Sequence, residues 1–377
     1  MVLLCLNNLI FQIISCLLHL IYYTKIQFYI KMIFLKLLLY PSQIIYSLII
    51  FTRNKLYDFK LIKSYKSKIT TISIGNLKTG GTGKTPIVEY LIRLFNKKNI
   101  AVLSRGYKRK TKGFILVNKK HQADDVGDEN RQLYNKYPTV KIACDENRVN
   151  GAKKLEEKFH SLDYLILDDA YQHRSLERDI NILLTEYSDL YLYDQLLPAG
   201  RLRESRKQVK RANIIIITKS PRALSIRKQN FIINKIKPRN NQKIYFSYIK
   251  EYLYIEMLSL KKLNLNKNQS YLLVTGIENP QPLTEHLRHK QINYHHLQFT
   301  DHHNFNKNDI NKILSFKGLK NTSSNLLITE KDFYRLSVNQ KEKLEKKFKL
   351  ICIQIEFDFI ATDKANFNNQ LINFEKI

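Results

Sequence analysis

The chain has 377 residues, of which 44% are hydrophobic, so it can form a globular core and is not intrinsically disordered. The formal net charge of +30 favours an anionic partner, but Lys is abundant together with Ile and Asn and Trp is absent, so we attribute most of the excess to AT-rich codon bias. No RNA-binding signature is present, so nucleic-acid binding is not predicted. The four cysteines form no CxxC pair, which argues against a disulfide framework and a structural zinc site.

The N-terminus is apolar. Residues 2–23 contain no Lys, Arg, Asp or Glu, and a second apolar stretch, MIFLKLLLYPSQIIYSLII, covers residues 32–50 and is followed by basic residues. This pattern is typical of an interfacial membrane segment, although packing on the folded domain is an alternative. We expect membrane-associated helices over residues 32–66, with the rest of the chain in the cytoplasm. Residues 1–31 are a hydrophobic extension or an incorrectly assigned start, with Met32 the true one.

Short apolar runs then alternate with polar stretches of helix length. The runs ITTISIG, IAVLSRGY, YLILDDA, INILLTE and IIIITKS are continuous and rich in Ile, Leu and Val, which predicts buried parallel strands. We therefore expect an α/β fold with a P-loop NTPase-like, doubly wound parallel sheet over residues 67–240. A second, smaller α/β domain is predicted over residues 241–377 from the runs SYLLVTGI, INYHHLQF, NLLITEKD and LICIQIEF. The run KIYFSYI, which precedes them, is a strand or part of a linker.

The stretch GNLKTGGTGKTPI lies between the first predicted strand and the predicted helix PIVEYLIRLF. This context is typical of a phosphate loop, in which backbone N–H groups and a helix N-terminus bind phosphate. Lys84 can neutralise phosphate charge, and the Thr85 hydroxyl can bind Mg²⁺. The standard pattern has a glycine where this chain has Lys78, but that glycine shapes the turn and does not neutralise phosphate. The alternative is a glycine-rich turn without a ligand. The predicted nucleotide-binding residues are Thr79, Gly80, Gly81, Thr82, Gly83, Lys84, Thr85 and Pro86.

An acidic pair, Asp168 and Asp169, ends the predicted strand YLILDDA. Such a pair is often only a turn, but beside a phosphate loop it can hold Mg²⁺ directly or through water. We predict a Mg²⁺ site formed by Thr85, Asp168 and Asp169. The histidine pairs HH at 295–296 and 302–303 could suggest a metal cluster, yet neighbouring residues of a strand point to opposite faces, so no zinc site is predicted.

These features fit several classes of P-loop protein. One alternative is a membrane-associated switch ATPase of the positioning or partition type, whose loop carries a lysine immediately before the two glycines. Here that residue is Thr79, and Lys78 lies one position too early. A second alternative is a P-loop kinase that acts on a different membrane-bound sugar.

Seven further motifs follow in the order LSRGYKRK, VGDEN, DDAYQHR, LLPAGRLRE, TGIENP, FTDHHNF and LITEKD. Together with the phosphate loop they closely resemble the tetraacyldisaccharide 4′-kinase family, the lipid A 4′-kinases, from about Met32 to the C-terminal region. The resemblance implies two α/β domains with the site between them, at the cytoplasmic face of the bacterial inner membrane. It also implies transfer of the γ-phosphate of ATP, with Mg²⁺, to the 4′-hydroxyl of an acylated glucosamine disaccharide 1-phosphate.

The resemblance places the family's catalytic aspartate at Asp128 of VGDEN and its partner histidine at His302 of DHH. A base that takes the hydroxyl proton helps a sugar oxygen to attack phosphorus, and a pair formed between two domains would act only on closure. Without the resemblance, Asp128 could equally be a helix cap.

Residues that could bind the acceptor lie in the same motifs, and arginine suits phosphate geometry. Each of them could instead be an ordinary surface or packing residue. The family usually has Gly-Phe after the paired aspartates, whereas this chain has Ala170-Tyr171, a departure that affects the local turn. The predicted substrate-binding residues are Arg105, Tyr107, Glu129, Arg148, Gln172 and His173.

Overall fold

The computed structural model describes residues 38–316 and 324–374, and it has one large, mainly parallel sheet with helices packed on it. The α/β prediction is confirmed at this level. The strands are β1 (Thr70–Asn76), β2 (Ile100–Ser104), β3 (Ile115–Leu116), β4 (Lys141–Cys144), β5 (Tyr164–Asp168), β6 (Ile180–Glu186), β7 (Ile214–Thr218), β8 (Lys243–Glu256), β9 (Lys262–Leu263), β10 (Ser270–Thr275), β11 (Asn293–Gln298), β12 (Ser324–Thr329) and β13 (Phe348–Phe359). The helices are α1 (described over 38–58), α2 (Lys84–Leu94), α3 (Ala123–Val126), α4 (Asp128–Lys136), α5 (Arg148–Lys158), α6 (Ile226–Ile236), α7 (Gln281–His289), α8 (Lys307–Leu314), α9 (Glu330–Arg335), α10 (Val338–Glu345) and α11 (Asp363–Ile372).

The strand order is β11-β10-β12-β13-β8-β7-β6-β1-β5-β2-β4-β3, with β9 beside β8. From β7 to β4 the neighbouring strands are parallel, and β1 lies between β5 and β6. The strand β1 is buried throughout its centre: Ile72 and Ile74 on one face and Ser73 on the other are all inaccessible. The carboxyl ends of β1 and β5 therefore meet at one edge of the sheet, the usual place for a ligand in such folds.

The long strands β8 and β13 connect the two ends of the sheet. The first residues of β8 pair in parallel with β7, and the rest pair antiparallel with β13. The run KIYFSYI is thus a strand within the sheet. At the far end, Phe367 and Leu371 of α11 enter the same apolar cluster as Ile72 and Ile87. The predicted boundary at residue 241 stays a prediction, since the last helix packs on the strands of the first part.

Helix α1 presents an apolar surface to solvent while its polar residues contact the folded body. Asn54 is buried and donates to Glu204 at 3.1 Å, and the Tyr46 hydroxyl donates to the Arg203 carbonyl at 2.8 Å. None of the helices within residues 38–316 and 324–374 has both the length and the apolar character needed to cross a membrane. The predicted extension of residues 1–31 lies outside the described residues. The large exposed apolar residues of α1 are Leu38, Tyr40, Ile44, Ile45, Leu48, Ile49 and Phe51.

Candidate active site

The glycine-rich stretch forms a loop between β1 and α2. Gly80 and Gly83 have φ angles of 113° and 85°, which favour glycine because a side chain would be strained there. The loop is held by Asn76, which donates to the Thr82 hydroxyl at 3.0 Å, and by Thr218, which donates to the Thr82 carbonyl at 2.9 Å. The helix begins at Lys84, so the N–H groups of its first turn face the loop.

The two aspartates at the end of β5 have different partners. Asp169 accepts two hydrogen bonds from Arg203, at 2.9 and 3.0 Å, and lies 3.7 Å from the Lys84 ammonium. Asp168 is 2% exposed, and its Oδ1 has no hydrogen-bond partner in the described part of the chain. Burial, and then the charge of nearby Glu129, raise the pKa of Asp168 to about 7. A buried carboxylate oxygen without a hydrogen-bond partner suits Mg²⁺, which prefers oxygen ligands.

Asp128 is the first residue of α4, but its side chain does not cap the helix, whose N-cap is Gly127. Instead, Asp128 Oδ2 lies 3.2 Å from His302 Nδ1 and accepts a hydrogen bond of 2.7 Å from Arg335 Nε. Burial alone would raise the pKa of Asp128, but the hydrogen bond from His302 and the charge of Arg335 hold it well below its usual range. The Tyr107 ring packs edge-on against His302, with centroids 5.0 Å apart. The structure therefore brings together two predicted catalytic residues from distant parts of the chain.

Glu129, predicted as a substrate contact, lies beside the phosphate loop. It accepts hydrogen bonds from the Thr85 hydroxyl at 3.2 Å and from the Lys331 ammonium at 2.9 Å. The charge of Lys331 lowers the pKa of Glu129, so the carboxylate is ionised. The N-terminus of α4 thus connects the phosphate loop with α9.

Of the other predicted acceptor residues, Arg148 begins α5, and Gln172 and His173 lie in the turn after β5. Arg148 is 1% exposed, donates to the Asp145 carbonyl at 2.6 Å and has an Nε without a partner among the described residues. Gln172 donates to the Asn76 carbonyl at 2.9 Å. Burial, followed by the charge of Arg148, lowers the pKa of His173 to about 4, so this ring is neutral at pH 7. Arg105 is exposed.

Ala170 and Tyr171, which replace the family's usual Gly-Phe, are packed and hydrogen-bonded in the turn after the aspartates. Ala170 N–H donates to the Ile74 carbonyl at 3.2 Å, and Tyr171 is fully buried with its hydroxyl donating to Gln208 at 2.7 Å. A side chain at Gly75 would meet Tyr171 Cβ at 2.7 Å, so close packing at this point depends on the glycine of β1. The departure from Gly-Phe therefore leaves the aspartates in place.

Three functional contacts escaped the sequence analysis. Arg335 and Lys331 belong to α9, which continues the LITEKD motif, and spacing i, i+3 places Asp332 and Arg335 on one face. Glu278 of TGIENP accepts a hydrogen bond of 2.6 Å from the Gly81 N–H of the phosphate loop. Nothing in a single sequence indicates which of these charges face the loop. Among the described residues, no group of three or more His, Cys, Asp or Glu side chains is arranged to hold a metal ion.

Comparison with known proteins gives a consistent result. The family described as tetraacyldisaccharide-1-P 4′-kinase, LpxK, matches residues 35–375. A tetraacyldisaccharide 4′-kinase of Flavobacterium johnsoniae is 42% identical over 315 residues, which is 81% of this chain and 90% of that protein. The enzyme of the same name from Bacteroides thetaiotaomicron is 38% identical over 337 residues, covering 85% of this chain and 88% of that one.

A solved structure agrees with this similarity. The crystal structure of the "apo" form of LpxK from Aquifex aeolicus, in complex with ATP, superposes with a TM-score of 0.70 and 26% sequence identity. The match covers 90% of this chain and all of that one.

Proposed function

The chain belongs to the tetraacyldisaccharide 4′-kinase family, as its motifs predicted, and on that premise we propose that it phosphorylates the 4′-hydroxyl of an acylated glucosamine disaccharide 1-phosphate with ATP. The bond between the γ-phosphorus of ATP and its bridging oxygen breaks, a new bond forms to the sugar oxygen, and ADP leaves. The observation that carries the proposal is the contact of Asp128 with His302, 3.2 Å apart, beside the phosphate loop.

The hydroxyl proton has a destination in this arrangement. A carboxylate whose pKa lies well below its usual range is a weak base, so we assign the proton to Asp128 and His302 acting as a pair. Arg335 keeps Asp128 ionised, and the ionised oxygen orients the hydroxyl towards phosphorus. Asp128 begins α4 and His302 follows β11, so the two partners come from separate parts of the chain, which supports a site that is complete only when these parts are close.

Backbone N–H groups of Gly80, Gly81 and Gly83, with Lys84, are proposed to bind the triphosphate of ATP, whereas the Thr79 N–H donates to the Arg201 carbonyl. Thr85, Asp168 and Asp169 would hold Mg²⁺, which supplies charge neutralisation for the phosphates when bound. Asp169 also fixes the Lys84 ammonium, 3.7 Å away, so that the lysine is oriented towards the loop.

The acceptor would bind between α5 and the turn after β5. The buried Arg148 guanidinium, whose Nε has no partner among the described residues, and the exposed Arg105 suit the acceptor's phosphate. Gln172, neutral His173, Tyr107 and Glu129 would contact sugar hydroxyls. Arg53 of α1 donates to the Gln172 carbonyl at 2.6 Å, so the same helix that carries the apolar surface reaches this region.

We also propose that the chain works at the cytoplasmic face of the bacterial inner membrane. Withdrawing acyl chains from a bilayer costs about 0.8 kcal/mol per CH₂, so the enzyme has to reach the sugar at the interface. The exposed apolar residues of α1, among them Ile45 and Leu48, support such contact. We propose in addition that the stretch from Met32 associates with the membrane. A second, smaller α/β domain is a separate part of the proposal.

The test uses the full chain in detergent micelles with ATP, Mg²⁺ and tetraacyldisaccharide 1-phosphate, and follows labelled phosphate in the lipid. The Asp128→Asn and His302→Ala variants are expected to lose transfer by at least about 100-fold, the usual range for a catalytic base. Asp124→Asn is the matched control, because this exposed carboxylate forms an ion pair with the exposed Lys110 and contacts none of the site residues named above.

ATP hydrolysis without labelled lipid, accelerated by vesicles alone, would favour the switch ATPase instead. Wild-type turnover in folded Asp128→Asn and His302→Ala proteins would contradict the proposed pair.

A further inference from the structure

Lys78 stands where a phosphate loop ordinarily has its first glycine, and its side chain is almost completely buried, at 5% exposure. The ammonium contacts Asp189 Oδ1 at 2.5 Å and Asp194 Oδ2 at 2.8 Å. An ammonium taken out of water needs such paired carboxylates. Since two carboxylates hold this group, it is not placed to bind phosphate.

Both carboxylates belong to the connection between β6 and β7, and a second cation joins them there. Arg201 contacts Asp189 at 2.8 Å and Asp194 at 3.2 Å, so two cations and two anions form one neutral cluster. Burial would raise the pKa of Asp194, but hydrogen bonds from Lys78 and from backbone N–H groups lower it to about 2. Asp194 is therefore ionised at neutral pH.

Backbone hydrogen bonds around Lys78 hold residues 201–203, which belong to the same connection between β6 and β7. Thr79 N–H donates to the Arg201 carbonyl at 2.8 Å, and Arg203 N–H donates to the Leu77 carbonyl at 2.7 Å. Residues 77–79 and 201–203 thus form a short antiparallel pair. The Lys78 side chain reaches residues 189 and 194, so the loop is attached to both ends of segment 189–203.

This attachment continues to the reacting groups. Arg203 donates to both carboxylate oxygens of Asp169, which lies 3.7 Å from the Lys84 ammonium. A shift of segment 189–203 relative to the loop would move Arg203 and, through Asp169, the lysine that is to neutralise phosphate. Displacements of about 1 Å can cost about 100-fold in rate.

We propose that Lys78 is a positioning residue for phosphoryl transfer, which fixes segment 189–203 against the phosphate loop so that Arg203 and Asp169 hold Lys84 in place. The effect on transfer rests on the proposed kinase function, whereas the effect on ATP binding does not.

The test compares full-length Lys78→Met, Lys78→Arg, Asp194→Asn and the Lys78→Met/Asp194→Asn double variant. We measure the Kd for ATP in the absence of lipid and, separately, kcat and both KM values for transfer. Lys78→Met is expected to weaken ATP binding about tenfold and to lower kcat by about 10- to 100-fold, with the lipid KM unchanged. Lys78→Arg, which keeps the charge, should stay within about threefold of wild type. Lys250→Met removes an exposed pair with Glu356 on β8 and β13 and is the control.

Coupling between Lys78 and Asp194 is the second readout. The double variant should be less impaired than the product of the two single effects, because the two residues act as one unit. The proposal is overturned if folded Lys78→Met protein has only lower stability with wild-type Kd, KM and kcat, or if the two effects multiply without coupling. Absence of lipid phosphorylation by the wild type would refute the kinase function, and the ATP affinities would still decide the role of Lys78.

Discussion

Replacing Arg335 by Met removes the guanidinium that joins two buried carboxylates in the candidate site. Arg335 Nε donates to Asp128 at 2.7 Å, while Nη1 donates to Asp332 at 2.7 Å and to the Gly276 carbonyl at 2.8 Å. Asp332 is fully buried and Asp128 is 8% exposed. The variant therefore leaves two carboxylates inside the protein without their arginine.

The expected cost follows from the burial of this pair. Removing one partner of a buried ion pair costs about 3–5 kcal/mol, because the remaining charge is not solvated. The Arg335→Lys variant keeps the charge but loses the forked geometry, so we expect a smaller loss of about 1–3 kcal/mol. Lys262→Met is the control, because its exposed pair with Glu251 is screened by solvent and should contribute little to stability.

The loss of unfolding free energy in Arg335→Met should depend on pH. Asp128 has a pKa below its usual value of about 3.9, so its stabilisation is present above that pH and is lost as the pH falls further. Without Arg335, this pKa rises, and protonation relieves the buried charge. The destabilisation of Arg335→Met should therefore be largest near pH 7 and should shrink towards pH 4.

Equilibrium urea unfolding at pH 7.5 and at several lower pH values measures both quantities. A loss below about 1 kcal/mol at pH 7.5, or a loss that grows as the pH falls, would refute the reasoning.

Three further outcomes are expected. Glu278→Gln should lower the Kd for ATP several-fold in equilibrium binding, because carboxylate and phosphate compete for the Gly81 N–H; an unchanged Kd would contradict that competition. Leu48→Glu, on the exposed face of α1, should reduce co-sedimentation with anionic vesicles while ATP affinity stays unchanged, and undiminished binding would argue against membrane contact through this face. Burial and the charge of Glu89 raise the pKa of Glu330 to about 7, so the folded state binds an extra proton and loses stability as the pH rises from about 4.3 through 7. In Glu330→Gln, unfolding measured between pH 5 and 8 should show a smaller loss, and an identical pH profile would oppose this assignment.

The strands were predictable because burial on both faces leaves continuous apolar sequences. Each run predicted as a strand overlaps a strand, including INYHHLQF, which contains β11, although NLLITEKD continues into α9. The strands that were missed are short, with two residues in β3 and β9 and four in β4, so they have too few residues for a recognisable period. The return of α11 to the first part of the sheet depends on tertiary packing and leaves no local signal.

The candidate site was predictable where one motif carries the whole geometry. The phosphate loop and the acidic pair need only a strand, a turn and a helix, all adjacent in sequence. By contrast, the pairing of Asp128 with His302 was expected only from family resemblance, and Arg335 was not expected at all. These contacts join residues 174 and 207 positions apart, a distance over which spacing in a single sequence says nothing.

Three donors of the candidate site contact carboxylates of the protein itself. Lys84 faces Asp169, Lys331 faces Glu129, and the Gly81 N–H faces Glu278. Each of these three donors thus has a protein carboxylate as a partner that competes with a phosphate oxygen. A triphosphate can bind only if these carboxylates move away or share a cation with it. The free-energy cost of doing so differs from one carboxylate to the next. Glu278 is exposed and lies in the loop after β10, so it can leave most easily, whereas Asp169 is held by Arg203. We therefore expect a bound triphosphate to displace Glu278 and to leave Asp169 in place.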